Sequence, residues 1–160
     1  MKIKRIQVKI IGPNVSHNAF DFDVSDITKR MVLIGGKNGA GNPTLFNATK
    51  ICLYGCVAYG FESNNAKYFA EIEKIINVNE KLQKIGEAEV VIDLLMDDGK
   101  YDHTYTFIRS WKVAGKKIAE TFTVHKDGNT LSETEKSDFE SYLLQILPPN
   151  LFRFYFFDGE

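Results

Sequence analysis

The sequence has few cysteines, no long apolar run and almost no net charge, and each shortage narrows what the protein can be. Cys52 and Cys56 are its only cysteines, and because no His or Cys lies nearby we expect no metal site at that pair. No apolar run approaches the ~18 residues that a membrane span needs, and the N-terminal segment alternates polar and apolar residues. We therefore expect no membrane span, no signal peptide and a cytoplasmic location.

The charge is balanced, with 20 basic against 21 acidic residues and a formal net charge of -1. A polyanion such as DNA could therefore be bound only through a local basic patch. Two candidate patches lie on the first predicted strand and around a later hairpin: Lys2, Lys4, Arg5 and Lys9, and Arg109, Lys112, Lys116 and Lys117. A solvated face without a partner is the alternative interpretation of either patch.

The rest of the composition is that of an ordinary globular protein, with 44% hydrophobic and 26% charged residues in a chain of 160. A chain of that length buries roughly two thirds of its unfolded surface, so we expect one domain with a continuous core. The histidines, His17, His103 and His125, are scattered and form no HExxH pattern. A metalloenzyme of that type is therefore not expected.

The predicted elements follow the order strand, strand, strand, helix, helix, meander, helix, strand, which is a mixed α/β layout. Period-two alternation predicts half-buried strands over 2–10 and 19–24, and the apolar run Met31–Ile34 predicts a central strand. Helical spacing predicts helices over about 44–56 and 65–83. Asp-Gly and Gly-Lys turns between alternating segments of 87–129 predict a three-stranded antiparallel meander.

The last part of the sequence combines a capped helix with an aromatic ending. Ser132 and Glu135 form a capping-box pattern at the start of a helical segment, and Pro148 and Pro149 end it. The ending, LFRFYFFDGE, has the apolar density of a buried strand. Because a domain seldom ends on an uncovered strand, we expect residues 1–160 to be a fragment of a longer protein.

A glycine-rich loop, GKNGAGNPT, lies between the predicted central strand and the first predicted helix. Gly36, Gly39 and Gly41 stand where the pattern G-x-x-x-x-G-K-[ST] requires flexible backbone, so that successive N–H groups can surround a phosphate. The helix that follows adds the positive end of its dipole. The strand, loop and helix together predict a phosphate-binding loop.

Two positions of this loop depart from the pattern, since Asn42 and Pro43 stand where Lys and the Mg²⁺-binding Ser or Thr are expected. Loss of a charge-assisted hydrogen bond costs about 1.5–3 kcal/mol, or about tenfold to a hundredfold or more in affinity. Pro43 also lacks a hydroxyl and a backbone N–H. Lys37 lies within the loop, at a position that points away from the phosphates in the pattern. We therefore predict weak nucleotide binding and no hydrolysis.

The loop with its flanks, MVLIGGKNGAG followed by TLFNA and KICLYG, and the ending LPPNLFRFYFFDGE resemble the N-terminal part of the DndD family of DNA sulfur modification proteins. That family is a member of the SMC-like and RecF/RecN-like ABC ATPases, and the resemblance covers essentially the whole chain. It implies the N-terminal lobe of a P-loop NTPase, a mixed sheet with an antiparallel meander and flanking helices. The signature motif, Walker B and catalytic Glu belong to a C-terminal lobe of the same protein.

The resemblance also implies roles for individual residues. Asp158 stands in a segment that looks like the Q-loop, where related heads place a Gln near the metal and the attacking water; a simple turn at Asp158-Gly159 is the alternative. Residues 14–18 are implied to lie close to the nucleotide. The implied nucleotide-binding positions are Gly36, Asn38, Gly39, Ala40, Gly41, Asn42, Pro43 and Thr44, of which Asn42 and Pro43 depart from the pattern.

The implied cofactors of the parent protein are ATP and Mg²⁺, and its implied partners are the C-terminal lobe, a second head in a dimer, DNA and other sulfur modification proteins. In this family ATP binding closes two heads and hydrolysis opens them. Two alternatives stay open: another SMC-like head acting in DNA repair or against phage, and a non-enzymatic interaction module that keeps only the shape of the loop.

Overall fold

The computed structural model describes residues 1–11, 14–22, 24–26, 28, 42–76 and 87–155, with the backbone alone at 14–16, 42–43 and 155. The Gly-rich loop over 36–41, the predicted strand Met31–Ile34 and Asp158 lie outside these residues. The predictions made for them therefore stay predictions.

An N-terminal hairpin forms one edge of the sheet. Strand β1 spans Lys2–Ile11 and pairs antiparallel with β2, which spans Asn14–Asp21. The first strand is confirmed, but the prediction of a second strand over 19–24 was wrong at both ends, since β2 begins at Asn14 and ends at Asp21. Among the described strands β2 lies at the edge of the sheet, where the polar segment NVSHN is tolerated.

The antiparallel meander is confirmed, with β3 at Glu87–Asp97, β4 at Asp102–Ala114 and β5 at Lys117–Lys126. A short strand β6, Asn129–Thr130, adds a further hairpin. Asp127 and Gly128 connect β5 to β6 and have φ of 50° and 84°. Two consecutive positive φ values are the requirement of a type I′ turn, which explains the Asp-Gly sequence at this point.

The six strands form one sheet in the order β2-β1-β3-β4-β5-β6. Strand β1 joins the hairpin to the meander by pairing antiparallel with β3, with Val8 opposite Val90. Every strand pairing among the described residues is antiparallel. The expected mixed sheet is therefore not what the described strands form, because the strand that would make it mixed was predicted at 31–34.

Helix α1 spans Asn42–Tyr54 and continues into a 3₁₀ helix, Gly55–Tyr59. It packs across β1, β3 and β4. Its buried face sits on buried side chains of those strands, and both sets belong to one apolar core. The members from α1 are Leu45, Ala48, Ile51, Cys52, Leu53 and Tyr54.

Helix α2 spans Ala66–Ile75 and begins one residue after the predicted start, because Asn65 is its N-cap and its side chain accepts hydrogen bonds from the backbone N–H groups of Lys67 and Tyr68. The predicted end near Gln83 was wrong for the part that can be compared. Ile76 has an extended backbone and forms an isolated bridge with Ile11 of β1. Tertiary pairing therefore stops a helix that sequence periodicity alone would continue.

Helix α3 spans Glu133–Ile146 and is confirmed together with its cap. The Ser132 hydroxyl accepts from the Glu135 backbone, and the Glu135 carboxylate accepts from the Ser132 N–H at 2.8 Å. Phe139 of α3 stacks on Tyr105 of β4 with a centroid separation of 4.1 Å. This contact, with buried Leu143 one turn later, attaches α3 to the meander.

The C-terminal aromatic segment was predicted as a strand, and this was wrong for its described part. Phe152–Tyr155 form one helical turn, α4, that follows a bend after Pro148. Phe152 is fully buried against Phe46 and Tyr54 of α1, whereas Phe154 is 72% exposed. The segment therefore buries one ring deeply and does not form a strand face.

Within the described part of the chain, no helix is both long enough and apolar enough to cross a membrane.

Candidate nucleotide site

The described end of the candidate site is the first turn of α1. The helix begins at Asn42, two residues before the predicted start at about Thr44, so Asn42, Pro43 and Thr44 all lie in its first turn. Thr44 is half-buried, and the next residue, Leu45, is buried in the core. Pro43 is compatible with this position because the first N–H groups of a helix have no partner within the helix.

The backbone N–H groups of this first turn are suited to a phosphate, but its side chains lack the usual donors. An α-helix presents free N–H groups and the positive end of its dipole at its N-terminus, which favours an anion. Pro43 removes one of those N–H groups, and neither Asn42 nor Pro43 supplies the ammonium or hydroxyl that normally completes the site. Thr44 is the one hydroxyl-bearing residue in the turn. The turn therefore offers an anion backbone N–H groups and the Thr44 hydroxyl, and it offers no Mg²⁺ ligand at position 43.

The opposite end of α1 is held by a buried arginine. Arg109, on β4, donates from Nε to the carbonyl oxygen of Cys52 at 3.1 Å. A cation beside the last carbonyls of a helix stabilises the negative end of its dipole. The Arg109 guanidinium also lies 3.8 Å from the ring centroid of Phe122. Helix α1 is thereby fixed against β4 at the end remote from the predicted phosphate loop.

Arg109 is neutralised by Glu120 of β5, and we call these two residues with their partners the Arg109–Glu120 network. Nη1 of Arg109 lies 2.5 Å from Oε1 of Glu120, and both side chains are 5% exposed. The Glu120 carboxylate also accepts from Trp111 Nε1 at 2.7 Å, from the Tyr68 hydroxyl and from the Asn64 amide. Burial and the bond to Glu120 raise the pKa of Tyr68. The network joins α1, α2, β4 and β5.

Gly55, at the junction of α1 and the 3₁₀ helix, has a φ of 54° and lies directly beside this network. A Cβ at this position would lie 2.8 Å from Arg109 Nη1. We expect Gly55→Ala to lower the free energy of unfolding by about 1–3 kcal/mol, because it adds a crowded contact to an unfavourable backbone conformation. Chemical denaturation monitored by circular dichroism measures the change.

Gly60→Ala is the matched control for this substitution. Gly60 also has a positive φ, 77°, but no atom lies within 4 Å of the point that its Cβ would occupy. Both variants place alanine at a positive φ, and only Gly55→Ala adds a contact with Arg109. Equal losses of stability would show that crowding against Arg109 contributes nothing.

The two cysteines lie in the core and at its margin. Cys52 is fully buried and its Sγ lies 3.4 Å from the carbonyl oxygen of Val90, while burial raises the pKa of its thiol to about 12. Cys56 is half-buried, and burial raises its pKa as well. In the part of the chain that the structure describes, no group of three or more His, Cys, Asp or Glu is placed to hold a metal ion.

The structure changes both candidate basic patches. Arg109 is removed from the hairpin patch because it is buried and paired with Glu120. Lys112, Lys116 and Lys117 remain exposed at the β4–β5 turn. In the first patch, Lys2 donates to the carbonyl oxygen of Val24 and Arg5 is paired with Asp21 at 3.2 Å. The three lysines of the β4–β5 turn are therefore the better candidates for an anionic partner.

Residues 14–18, which the resemblance implied to lie near the nucleotide, run along the edge strand β2. His17 lies opposite Lys9, and its Nε2 is 2.7 Å from the side-chain oxygen of Gln7. Their relation to a bound nucleotide stays a prediction because residues 29–41 lie outside the described part of the chain.

Comparison with known proteins shows the family. The sequence profile of a family described as AAA domain matches residues 8–160. Because the match covers nearly the whole chain, the protein belongs to the AAA domain family, a broad family of ATPases. None of the curated proteins compared with it matches the chain. The chain therefore carries a nucleotide-binding ATPase lobe, and members of this class generally use ATP and Mg²⁺.

Proposed function

We propose that this chain is the N-terminal nucleotide-binding lobe of an SMC-like ATPase head. The observation that carries the proposal is the order of its parts within a family of ATPases. A Gly-rich loop at 36–41 leads directly into α1 at Asn42, and α1 is packed over the sheet of its own domain. In a phosphate-binding loop the helix that follows the glycines aligns its N-terminus with the anion.

The more specific proposal places the parent protein in DNA sulfur modification, as a DndD-like ATPase, or in the restriction system linked to it. It is supported by the residues of the loop and its flanks and by the ending LFRFYFFDGE. In the parent protein, ATP binding would close two heads and hydrolysis would open them. DNA and other sulfur modification proteins are its proposed partners, with DNA contact through a basic surface such as Lys112, Lys116 and Lys117.

Within the loop, the backbone at Gly36, Asn38, Gly39, Ala40 and Gly41 is proposed to surround the phosphates, with Thr44 at the start of α1 beside them. Asn42 and Pro43 impair the site because they replace the ammonium and the metal-binding hydroxyl. This chain alone is therefore proposed to bind ATP weakly and to hydrolyse none. The proposed role of Asp158, near the metal and the attacking water, requires the second lobe and a second head.

Exposed apolar side chains near the C-terminal end of the described chain support a partner lobe at this face. Phe154 is 72% exposed, and Tyr142 and Ile146 lie one turn apart on α3 beside its buried face. Leu144 and Leu151 are also 39% exposed. We propose that the C-terminal lobe of the ATPase head covers Tyr142 and Ile146, since neighbouring exposed apolar groups commonly mark an interface.

The alternative function is a non-enzymatic interaction module. The observation in its favour is the pair Asn42-Pro43, which leaves the loop without its two most chemically active side chains. A third candidate, an SMC-like head of DNA repair or anti-phage defence, would share the lobe and differ in its partners.

The test is calorimetric titration of ATP with Mg²⁺ into the chain and into a variant that carries Asn42→Lys and Pro43→Thr. We expect the variant to bind at least about tenfold more tightly, because it regains a charge-assisted hydrogen bond and a hydroxyl metal ligand. Asn47→Lys is the matched control, since it adds the same charge at an exposed position of α1. Equal gains from the control would mean that charge alone, and not a phosphate site, is responsible.

The same titration separates the proposed functions. Binding by the double variant supports the ATPase lobe. Low-micromolar, Mg²⁺-dependent binding by the unchanged chain would contradict the impaired loop and leave the lobe in place. Binding by neither chain would favour the interaction module.

A further inference from the structure

His103, near the start of β4, lies between two carboxylates at the end of the sheet. Its Nδ1 is 2.6 Å from Oδ2 of Asp127, and its Nε2 is 2.9 Å from Oδ2 of Asp98. The imidazole is 19% exposed, so it is partly shielded from water. Both ring nitrogens are thus occupied by acceptors from two different parts of the chain.

Each carboxylate belongs to a turn and accepts at least one hydrogen bond from the backbone, which for Asp127 comes from β4. Oδ1 of Asp98 accepts from the backbone N–H groups of Lys100 and Tyr101, in the turn between β3 and β4. Oδ1 of Asp127 accepts from the backbone N–H of Thr104 at 2.9 Å, and Asp127 itself is in the β5–β6 turn. His103 is therefore the side chain that bonds to both turns at once.

This geometry requires a specific protonation state. A neutral imidazole has one N–H donor and one lone pair, whereas the imidazolium has two donors. An ionised carboxylate is an acceptor only, so both contacts are hydrogen bonds only when His103 carries two protons. Loss of one proton would leave a ring lone pair facing a carboxylate oxygen. The two carboxylates approach opposite ring nitrogens, so they do not converge on one cation.

The surrounding charges act in the same direction on balance. The hydrogen bonds to Asp127 and then Asp98 raise the pKa of His103, while partial desolvation and the nearby Lys126 ammonium oppose that rise. The backbone donors of Tyr101 and Lys100, followed by His103, lower the pKa of Asp98 to about 2. The bond from His103 lowers the pKa of Asp127 in turn.

We propose that His103 is a proton-dependent clamp, which holds the β3–β4 turn against the β5–β6 turn while its imidazole carries both protons and releases one turn when a proton leaves. The clamp joins two turns at the same end of the meander. It is independent of the proposed nucleotide site and would operate in the chain with or without ATP.

The pH window follows from the directions of the pKa shifts. The pKa of His103 is raised above the ordinary value of about 6.5, so its stabilising contribution is complete below about 6.5 and is lost as pH rises through the raised value. The pKa values of the aspartates are lowered, so their contribution is present above about 4 and is lost as pH falls through the lowered values. The clamp is therefore closed in mildly acidic solution and opens as the pH rises above the raised pKa of His103.

The test is an NMR titration of the imidazole Cε1–H signals of the 160-residue chain, combined with hydrogen exchange of the Thr104 amide. The reference is the ordinary imidazole pKa of about 6.5. We expect the His103 midpoint to lie above this value. The protection factor of Thr104 should fall as pH rises through that midpoint. A His103 midpoint at or below about 6.5 would overturn the proposal.

Asp127→Asn provides a second test that keeps the size of the side chain and its tolerance of positive φ. We expect it to lower the His103 midpoint and to remove the pH dependence of Thr104 protection. The matched control, Asp138→Asn, changes an exposed carboxylate on α3 and should alter neither quantity. An unchanged His103 midpoint in Asp127→Asn would also overturn the clamp.

Discussion

Replacement of Glu120 by alanine is expected to lower the free energy of unfolding by about 3–5 kcal/mol. The substitution leaves the Arg109 guanidinium, 5% exposed, without its counter-charge and removes the acceptor for Trp111 and Tyr68. A buried charge and two buried donors without partners are each costly. Urea denaturation monitored by far-UV circular dichroism is the appropriate measurement, because Trp111 fluorescence would itself respond to the change.

Glu133→Ala is the control for this prediction. Glu133 forms an ion pair with Lys136 at 2.8 Å, but its side chain is 88% exposed, so we expect a loss of less than about 1 kcal/mol. A double replacement, Arg109→Met with Glu120→Leu, removes both charges and should cost less than Glu120→Ala alone. Similar small losses in Glu120→Ala and Glu133→Ala would show that the buried pair does not stabilise the fold.

Replacement of Phe152 by alanine is expected to lower the free energy of unfolding by about 3–5 kcal/mol, the usual cost of deleting a buried aromatic ring. Phe152 is fully buried, with its ring centroid 5.1 Å from that of Phe46 and 5.9 Å from that of Tyr54. Both partners lie on α1, so the substitution would leave a cavity between the C-terminal turn and that helix. Thermal and urea denaturation both measure the loss.

Phe154→Ala is the matched control, because the same ring is removed two positions later from a site that is 72% exposed. We expect a change within about 0.5 kcal/mol. In the strand predicted from the sequence, residues 152 and 154 would share one face and respond alike. Comparable losses in the two variants would therefore contradict the helical turn.

The meander and α3 were predictable because their signals are local. Asp-Gly at 127–128 meets the backbone requirement of a two-residue turn, and period-two alternation gives each strand one core face. Ser132 and Glu135 satisfy each other across one helical turn without help from the rest of the chain. Such features depend on neighbouring residues alone, so they can be predicted from the sequence.

The elements that were predicted wrongly depend on partners far away in sequence. Helix α2 ends early because Ile76 pairs with Ile11 of β1, and the C-terminal segment turns into a helix because Phe152 packs on α1. The aromatic density of that segment indicates burial but not which backbone geometry achieves it. Tertiary contacts of this kind override local propensity.

Sequence reasoning missed the Arg109–Glu120 network, although a signal for it was present. Alternation along β4 puts Arg109 on the same face as Phe107 and Trp111, which are core residues. A charged residue on a core face needs a buried counter-charge, and Glu120 lies directly opposite Trp111 on the next strand. The predictions for the phosphate loop and Asp158 are not tested, because these residues lie outside the described part of the chain.

The pairing of β1 with β3 has a consequence for how such a lobe can change during evolution. Lys9 lies opposite Glu89, so the residues between them form one long connecting segment whose two ends are paired in the sheet. The predicted phosphate loop, α1 and α2 all lie within that segment. Because the entropy of closing a long loop grows only by about 0.6 kcal/mol for each doubling of its length, insertions and deletions in the connections between these elements would cost the sheet little. The connections could thus diverge in length while β1 and β3 stay in register.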